Sequence, residues 1–120
     1  MGEMRLGVVE SRFADIIWEN EPLSTAELVK LCEEQLNWKR TTTYTVLKRL
    51  SQRGIFSNEG GTVSSKISKE EFYSMQSEQF VDETFGGSLP AFIAAFTSRK
   101  GLSSDEISQI RQLIDSYEEE

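Results

Sequence analysis

Between Gln35 and Asn58 the chain carries five basic side chains, Lys39, Arg40, Lys48, Arg49 and Arg53, and no acid, although its 120 residues sum to a net charge of -7. At about 100° per residue on a helical wheel, Thr41, Thr45, Lys48 and Gln52 run down the middle of one face, with Tyr44 on one flank and Thr42 and Arg49 on the other. Guanidinium and ammonium groups suit phosphate oxygens and guanine edges; hydroxyls and methyls suit base edges and thymine. The chemistry on offer is therefore recognition of a polyanion through Lys39, Arg40, Thr41, Thr42, Tyr44, Thr45, Lys48 and Arg49. Arg49 has an alternative as the ion-pair partner of an acid on another helix, Tyr44 as a packing residue at a rim, and Thr41 as a helix cap.

Covalent chemistry has little to work with. There is no histidine and one cysteine, Cys32, which reads as a small buried apolar residue on a helix face. The commonest general base and the commonest metal ligand are both missing. Ser64 and Ser65 lack an activating partner, and the paired acids Glu33-Glu34, Glu70-Glu71 and Glu118 to Glu120 read as solvated faces and a tail. No catalytic residue, metal site or cofactor is expected.

The polar face needs a helix behind it. Thr43, Val46, Leu47 and Leu50 fall on the opposite side and must pack inward, with Thr41 as the expected cap and Gly54 as the stop after Arg53. Upstream, Leu6, Val9, Phe13, Ile16 and Ile17 mark one face of a first helix ending near Asn20, which Glu21 and Pro22 terminate. Ser24 with Glu27 forms a capping box for a second helix, whose stripe is Leu28, Leu31, Cys32 and Leu36 and whose left-handed stop is Asn37. A helix pair with a basic second member is the helix-turn-helix arrangement.

Residues 55–58 and 63–67 flank Gly60-Gly61 and read as a hairpin, which after a recognition helix is a wing. Its polar groups are Ser57, Asn58 and Lys66, with Glu59 at the tip, so only a weak contact with DNA is expected. Ser68 with Glu71 and Ser103 with Glu106 are further capping boxes, and Gly86-Gly87 and Arg99-Lys100-Gly101 divide the remainder into helices near 69–85, 89–98 and 104–117. Pro90 suits the first turn of the middle one. Phe72, Met75, Phe80, Val81 and Phe85, then Leu89, Phe92, Ile93 and Phe96, then Ile107, Ile110, Leu113, Ile114 and Tyr117 are more apolar surface than so short a segment can bury alone. They are assigned to a homodimer interface, which suits a two-fold DNA site. Folding back on residues 1–66 as a monomer core is the alternative.

The fold class expected is mainly α, with a winged helix-turn-helix over residues 1–67 and a three-helix dimerisation region over 68–120. Charge divides the same way. Residues 1–66 hold nine acids and nine bases, whereas 67–120 hold eleven acids and four bases, so the whole excess lies in the second part. No apolar run approaches the roughly 20 residues of a membrane span and the N-terminus shows no signal pattern, so the expected compartment is the cytoplasm, without a membrane partner.

The same residues carry a resemblance. Ile17-Trp18-Glu19, Pro22-Leu23-Ser24, Ala26-Glu27-Leu28, Trp38, Thr42, Thr45, Leu47, Arg49-Leu50 and Gly54, then Ile67-Ser68, Glu70-Glu71, Phe85-Gly86-Gly87-Ser88-Leu89 and Leu102-Ser103 with Glu106-Ile107, resemble the penicillinase repressor, methicillin-resistance repressor and copper-transport repressor family of bacterial winged-helix regulators. The resemblance spans nearly the whole chain in order. It implies repression by a homodimer on a palindromic double-stranded operator, with DNA-reading positions at Thr41, Thr42, Tyr44, Thr45, Lys48 and Arg49. It also implies an upstream sensor protease, because members that sense an envelope signal are cleaved beside an Asn-Phe pair. Here Ala95-Phe96 occupies that position, a departure at the release site itself. Copper-sensing members carry Cys-x-Cys pairs near the C-terminus; this chain has none, which excludes metal-controlled release of that type.

Against a DNA-binding repressor stands one alternative of another class: a winged helix that binds protein and has lost DNA recognition, suggested by the acidic total and the poorly basic wing.

Overall fold

The computed structural model describes residues 5–118; the acidic tail expected at the C-terminus therefore lies partly outside the described residues. The elements are α1 (Val8–Asn20), β1 (Leu23–Ser24), α2 (Thr25–Leu36), α3 (Arg40–Gln52), β2 (Phe56–Glu59), β3 (Thr62–Ser65), α4 (Lys69–Phe85), α5 (Leu89–Arg99) and α6 (Ser104–Glu118). The chain is mainly α, with a small three-stranded antiparallel sheet in the order β1-β3-β2. Two compact units result, Met1–Gln79 and Phe80–Glu120.

In the first unit the core is built by the faces that the periodicity marks. Phe13, Ile16 and Ile17 of α1, Leu28 and Cys32 of α2, and Val46, Leu47 and Leu50 of α3 are buried together with Ile55, Phe56 and Val63. Val9, placed on the buried face of the first helix by its spacing, is instead half exposed in the first turn. Rings complete the packing: Phe13 stacks on Trp38 at 5.4 Å between centroids, and Trp18 lies 5.5 Å from Phe56 and 5.7 Å from Phe72. The Trp18 Nε1–H, the polar end of that cluster, donates to the Ile67 carbonyl at 3.0 Å, so its burial leaves no donor unmet.

Phe72 is a correction. Expected at a dimer interface, it is fully buried in this core. It sits on the first turns of α4, and Lys69 on the same turns pairs with Asp15 of α1 at 3.0 Å, so the start of α4 is held against α1. That is why the compact unit runs to Gln79, past the boundary expected at 67/68.

The ends of the helices follow local chemistry. Ser24 Oγ accepts from the Glu27 N–H at 3.0 Å while the Glu27 carboxylate accepts from the Ser24 N–H at 2.9 Å, the reciprocal box read from the sequence. These bonds, with the Ser24 N–H first, hold the Glu27 carboxyl below its ordinary range. Asn37 adopts φ 57° after α2, as expected of its left-handed stop. The cap of α3 is not Thr41. Lys39 holds that position without a side-chain bond, and Thr41 lies one residue inside the helix. The hairpin turns at Gly60 and Gly61, whose φ values of +59° and +84° a side chain would strain.

In the second unit Ser88 caps α5 with Pro90 in its first turn, and Ser103 with Glu106 form a reciprocal box at α6. Phe80, Phe85 and Phe92 cluster at 5.5 to 5.9 Å. Even so, none of the described residues of this unit is buried.

Candidate nucleic-acid interface

Packing decides which side of α3 faces out. With Thr43, Val46, Leu47 and Leu50 buried, the helix presents Arg40, Thr41, Thr42, Thr45, Lys48 and Arg49 to solvent, with Lys39 exposed at its cap. The left-handed Asn37 ends α2 and a short link to Lys39 starts α3, giving the helix-turn-helix arrangement.

The exposed residues are not equivalent. The Thr45 hydroxyl donates to the Thr41 carbonyl at 2.9 Å, which leaves its methyl for outward contact. Arg40 lies over the Tyr44 ring, its guanidinium carbon 5.6 Å from the centroid, and hydrogen bonds from Thr25 and then Arg40 draw the Tyr44 hydroxyl below its ordinary pKa. Tyr44 is half-buried, so the rim-packing reading applies to its ring. Cys32, behind this face, is fully buried, and burial pushes its thiol up despite a hydrogen bond with Thr43.

Arg49 differs most from a free phosphate-binding cation. Its Nε and Nη2 both donate to Glu10 Oε2, at 3.2 and 2.9 Å, so the ion-pair alternative describes it. Burial tends to raise the Glu10 carboxyl, but the Gly7 N–H and the Arg49 guanidinium outweigh it and hold the group below its ordinary range. Glu10 was not among the residues singled out from the sequence: the pair is separated by 39 positions, and no local pattern joins them. One flank further, Arg53 Nη2 donates to the Arg5 carbonyl at 2.6 Å.

In the wing, Phe56↔Ser65 and Glu59↔Thr62 define the β2–β3 register, and Leu23↔Val63 adds β1, a strand the sequence reading missed. Ser57 and Ser64 face each other with hydroxyls 3.2 Å apart, so Ser57 spends its side chain within the sheet. Asn58 and Lys66 are exposed. Glu21, expected only as a terminator of the first helix, accepts from the N–H and hydroxyl of Ser65 at 2.8 Å and braces the base of the wing against the end of α1.

Elsewhere, Ala95 and Phe96 lie inside α5 and are exposed; Met75 in the first unit and Phe80, Leu89, Leu113, Ile114 and Tyr117 in the second are exposed apolar side chains. A 240 Å³ apolar cleft lies between α5 and α6, lined by Phe92, Ile93, Phe96 and Ile110 among others. Val81, Phe85 and Ile107 are half-buried. Among the described residues no acid, cysteine and histidine cluster has metal-site spacing, and no helix is long and apolar enough to cross a membrane.

Three helices, a helix-turn-helix and a β-hairpin that follows it define a winged-helix protein with an added helical region. The chain matches the penicillinase repressor family over residues 6–116 and belongs to that family, whose members are transcriptional repressors rather than enzymes. It is 24% identical to the penicillinase repressor of Bacillus licheniformis over 106 residues, covering 85% of this chain and 83% of that one. The methicillin resistance regulatory protein MecI of Staphylococcus aureus is 23% identical over 109 residues (88% of this chain, 89% of that protein), and MecI of Mammaliicoccus sciuri is 22% identical over 104 residues (83% and 85%).

Proposed function

We propose that the protein is a homodimeric, sequence-specific repressor that occupies a palindromic operator, reading each half-site with the outer face of α3. The observation that carries this reading is the composition of that face: Lys39, Arg40, Thr41, Thr42, Thr45 and Lys48 are all solvent-exposed on the second helix of a helix-turn-helix, within a segment free of acids. Lys39, Arg40 and Lys48 hold phosphates, which sets affinity and orientation; Thr41, Thr42 and Thr45 meet base edges or thymine methyls, which sets sequence preference. Asn58 and Lys66 of the wing add a minor backbone contact. α5 and α6 supply the self-association that places two α3 helices about one helical turn of DNA apart.

The test is selection of genomic fragments by the purified protein, with its mass in solution measured in the same buffer. A dimer that enriches a two-fold symmetric sequence is the expected result. Lys48→Ala should weaken operator binding and reduce the salt slope by about one, the signature of one lost phosphate contact. Failure to bind any duplex at low salt removes the DNA-reading role and leaves the protein-binding winged helix in its place.

A further inference from the structure

Arg49 is exposed on the DNA-facing side of α3, yet its charge is already matched. The side chains of Arg49 and Glu10 are 53% and 23% exposed, and the contact is a fork: Nε and Nη2 converge on one carboxylate oxygen. The second oxygen, Oε1, accepts from the Gly7 N–H at 3.2 Å, so the carboxylate is itself fixed at the start of α1 rather than free to follow the arginine. Nearby, the bond from Arg53 to the Arg5 carbonyl ties the end of α3 to the same stretch of chain.

Two consequences follow from the chemistry of the pair. A guanidinium has five N–H groups, and Glu10 takes the edge formed by Nε and Nη2; the other edge, formed by Nη1 and Nη2, points elsewhere. A two-pronged guanidinium edge matches the O6 and N7 acceptors of guanine in the major groove. At the same time, an arginine whose charge is cancelled by a neighbouring carboxylate gains little from a phosphate. The Glu10 carboxyl, kept ionised by the groups around it, maintains this cancellation at neutral pH.

We propose that Glu10 is a positioning residue for operator recognition: it holds one edge of Arg49 so that the other reads a guanine in the half-site, and it withdraws Arg49 from non-specific phosphate binding. This rests on the DNA-reading role of α3 proposed above. It differs from a purely structural ion pair in what it does to specificity.

The test titrates the full-length protein with its selected operator and with a scrambled duplex of the same length, across a series of salt concentrations, for wild type, Glu10→Gln, Arg49→Lys and the double variant. Glu10→Gln retains an oxygen to accept from Gly7 and removes the charge. It is expected to lower the operator-over-scrambled ratio roughly tenfold, the size of one bidentate base contact. It should also steepen the salt slope on the scrambled duplex by about one, as the released guanidinium finds a phosphate. Arg49→Lys keeps the cation but loses the fork, so the ratio should fall similarly, and adding Glu10→Gln to it should lower the ratio no further. Thermal unfolding of each variant accompanies the titrations. An unchanged ratio and slope in Glu10→Gln overturns the proposal whatever happens to the unfolding temperature, and so does an equal loss from Glu10→Gln in both arginine and lysine backgrounds. Wild-type protein that prefers no duplex instead removes the DNA-reading role itself, which keeps the two failures apart.

Discussion

The two compact units are both helical, yet they solve the burial problem differently. In the first, every helix from α1 to the start of α4 contributes a buried side chain, and rings from Phe13, Trp18, Trp38, Phe56 and Phe72 interlock across them. In the second, no described residue is buried, and Phe80, Leu113 and Tyr117 remain 48%, 63% and 74% exposed. A unit with a sealed core covers its own apolar faces; a unit with apolar faces and no core is completed by association, here proposed to be with a second copy. The contrast explains why reading one apolar residue after another does not reveal its role. Phe72 and Phe80 lie on the same helix, one in the core and the other on the surface.

Breaking the second unit should have the largest effect on operator binding. Ile114→Glu places a charge on the exposed apolar face of α6 and is expected to halve the mass in solution while leaving the winged helix folded. Loss of linkage between two half-site readers should weaken operator binding by about 100-fold or more. An Ile114→Glu protein that remains dimeric would move the interface off α6.

Phe13→Ala addresses the first unit. Removing a fully buried ring that contacts Trp38 and Phe56 should cost about 3–5 kcal/mol of unfolding free energy in urea. If the units are as distinct as their burial suggests, the variant's self-association at low denaturant should be unchanged. A simultaneous loss of both would show that their stabilities are joined.

The smallest expected change concerns the cap that starts α2. Ser24→Ala removes the acceptor for the Glu27 N–H and should cost about 1 kcal/mol. The pH dependence has a definite sign. Because the Glu27 carboxyl is held below its usual value near 4.5 in the folded state, its contribution is fully present above that value and fades as pH falls through the lowered one. The Ser24 N–H that chiefly holds this carboxylate survives in Ser24→Ala, so the deficit of Ser24→Ala should change little with pH, whereas the deficit of Glu27→Gln at neutral pH should narrow near pH 3, both measured as thermal unfolding; a Glu27→Gln deficit independent of pH would remove the carboxylate from the cap's stability.

Much of this architecture was written in local pattern. The buried face of α3, the capping boxes at α2 and α6, the stop at Asn37 and the Gly60-Gly61 hairpin each depend on residues within a few positions of one another, where periodicity and hydrogen-bond geometry act directly. The exposed basic face was legible for the same reason, since the side that packs and the side that does not are set by one wheel. Thr41 shows the margin of such reading: a hydroxyl near a helix start suggests a cap, but the cap is Lys39, two residues earlier, and the helix begins at Arg40.

By itself, then, the sequence determined which segments become helices, where they stop, which face of α3 is left polar, and that the charge excess lies beyond the wing. Tertiary structure alone decided the pairing of Arg49 with Glu10, the bracing of Ser65 by Glu21, the addition of β1 to the wing, and the burial of Phe72 in the first unit. Each of those depends on groups brought together from distant positions by packing of the core, and the free energy of such a contact has no counterpart in the local spacing of either partner.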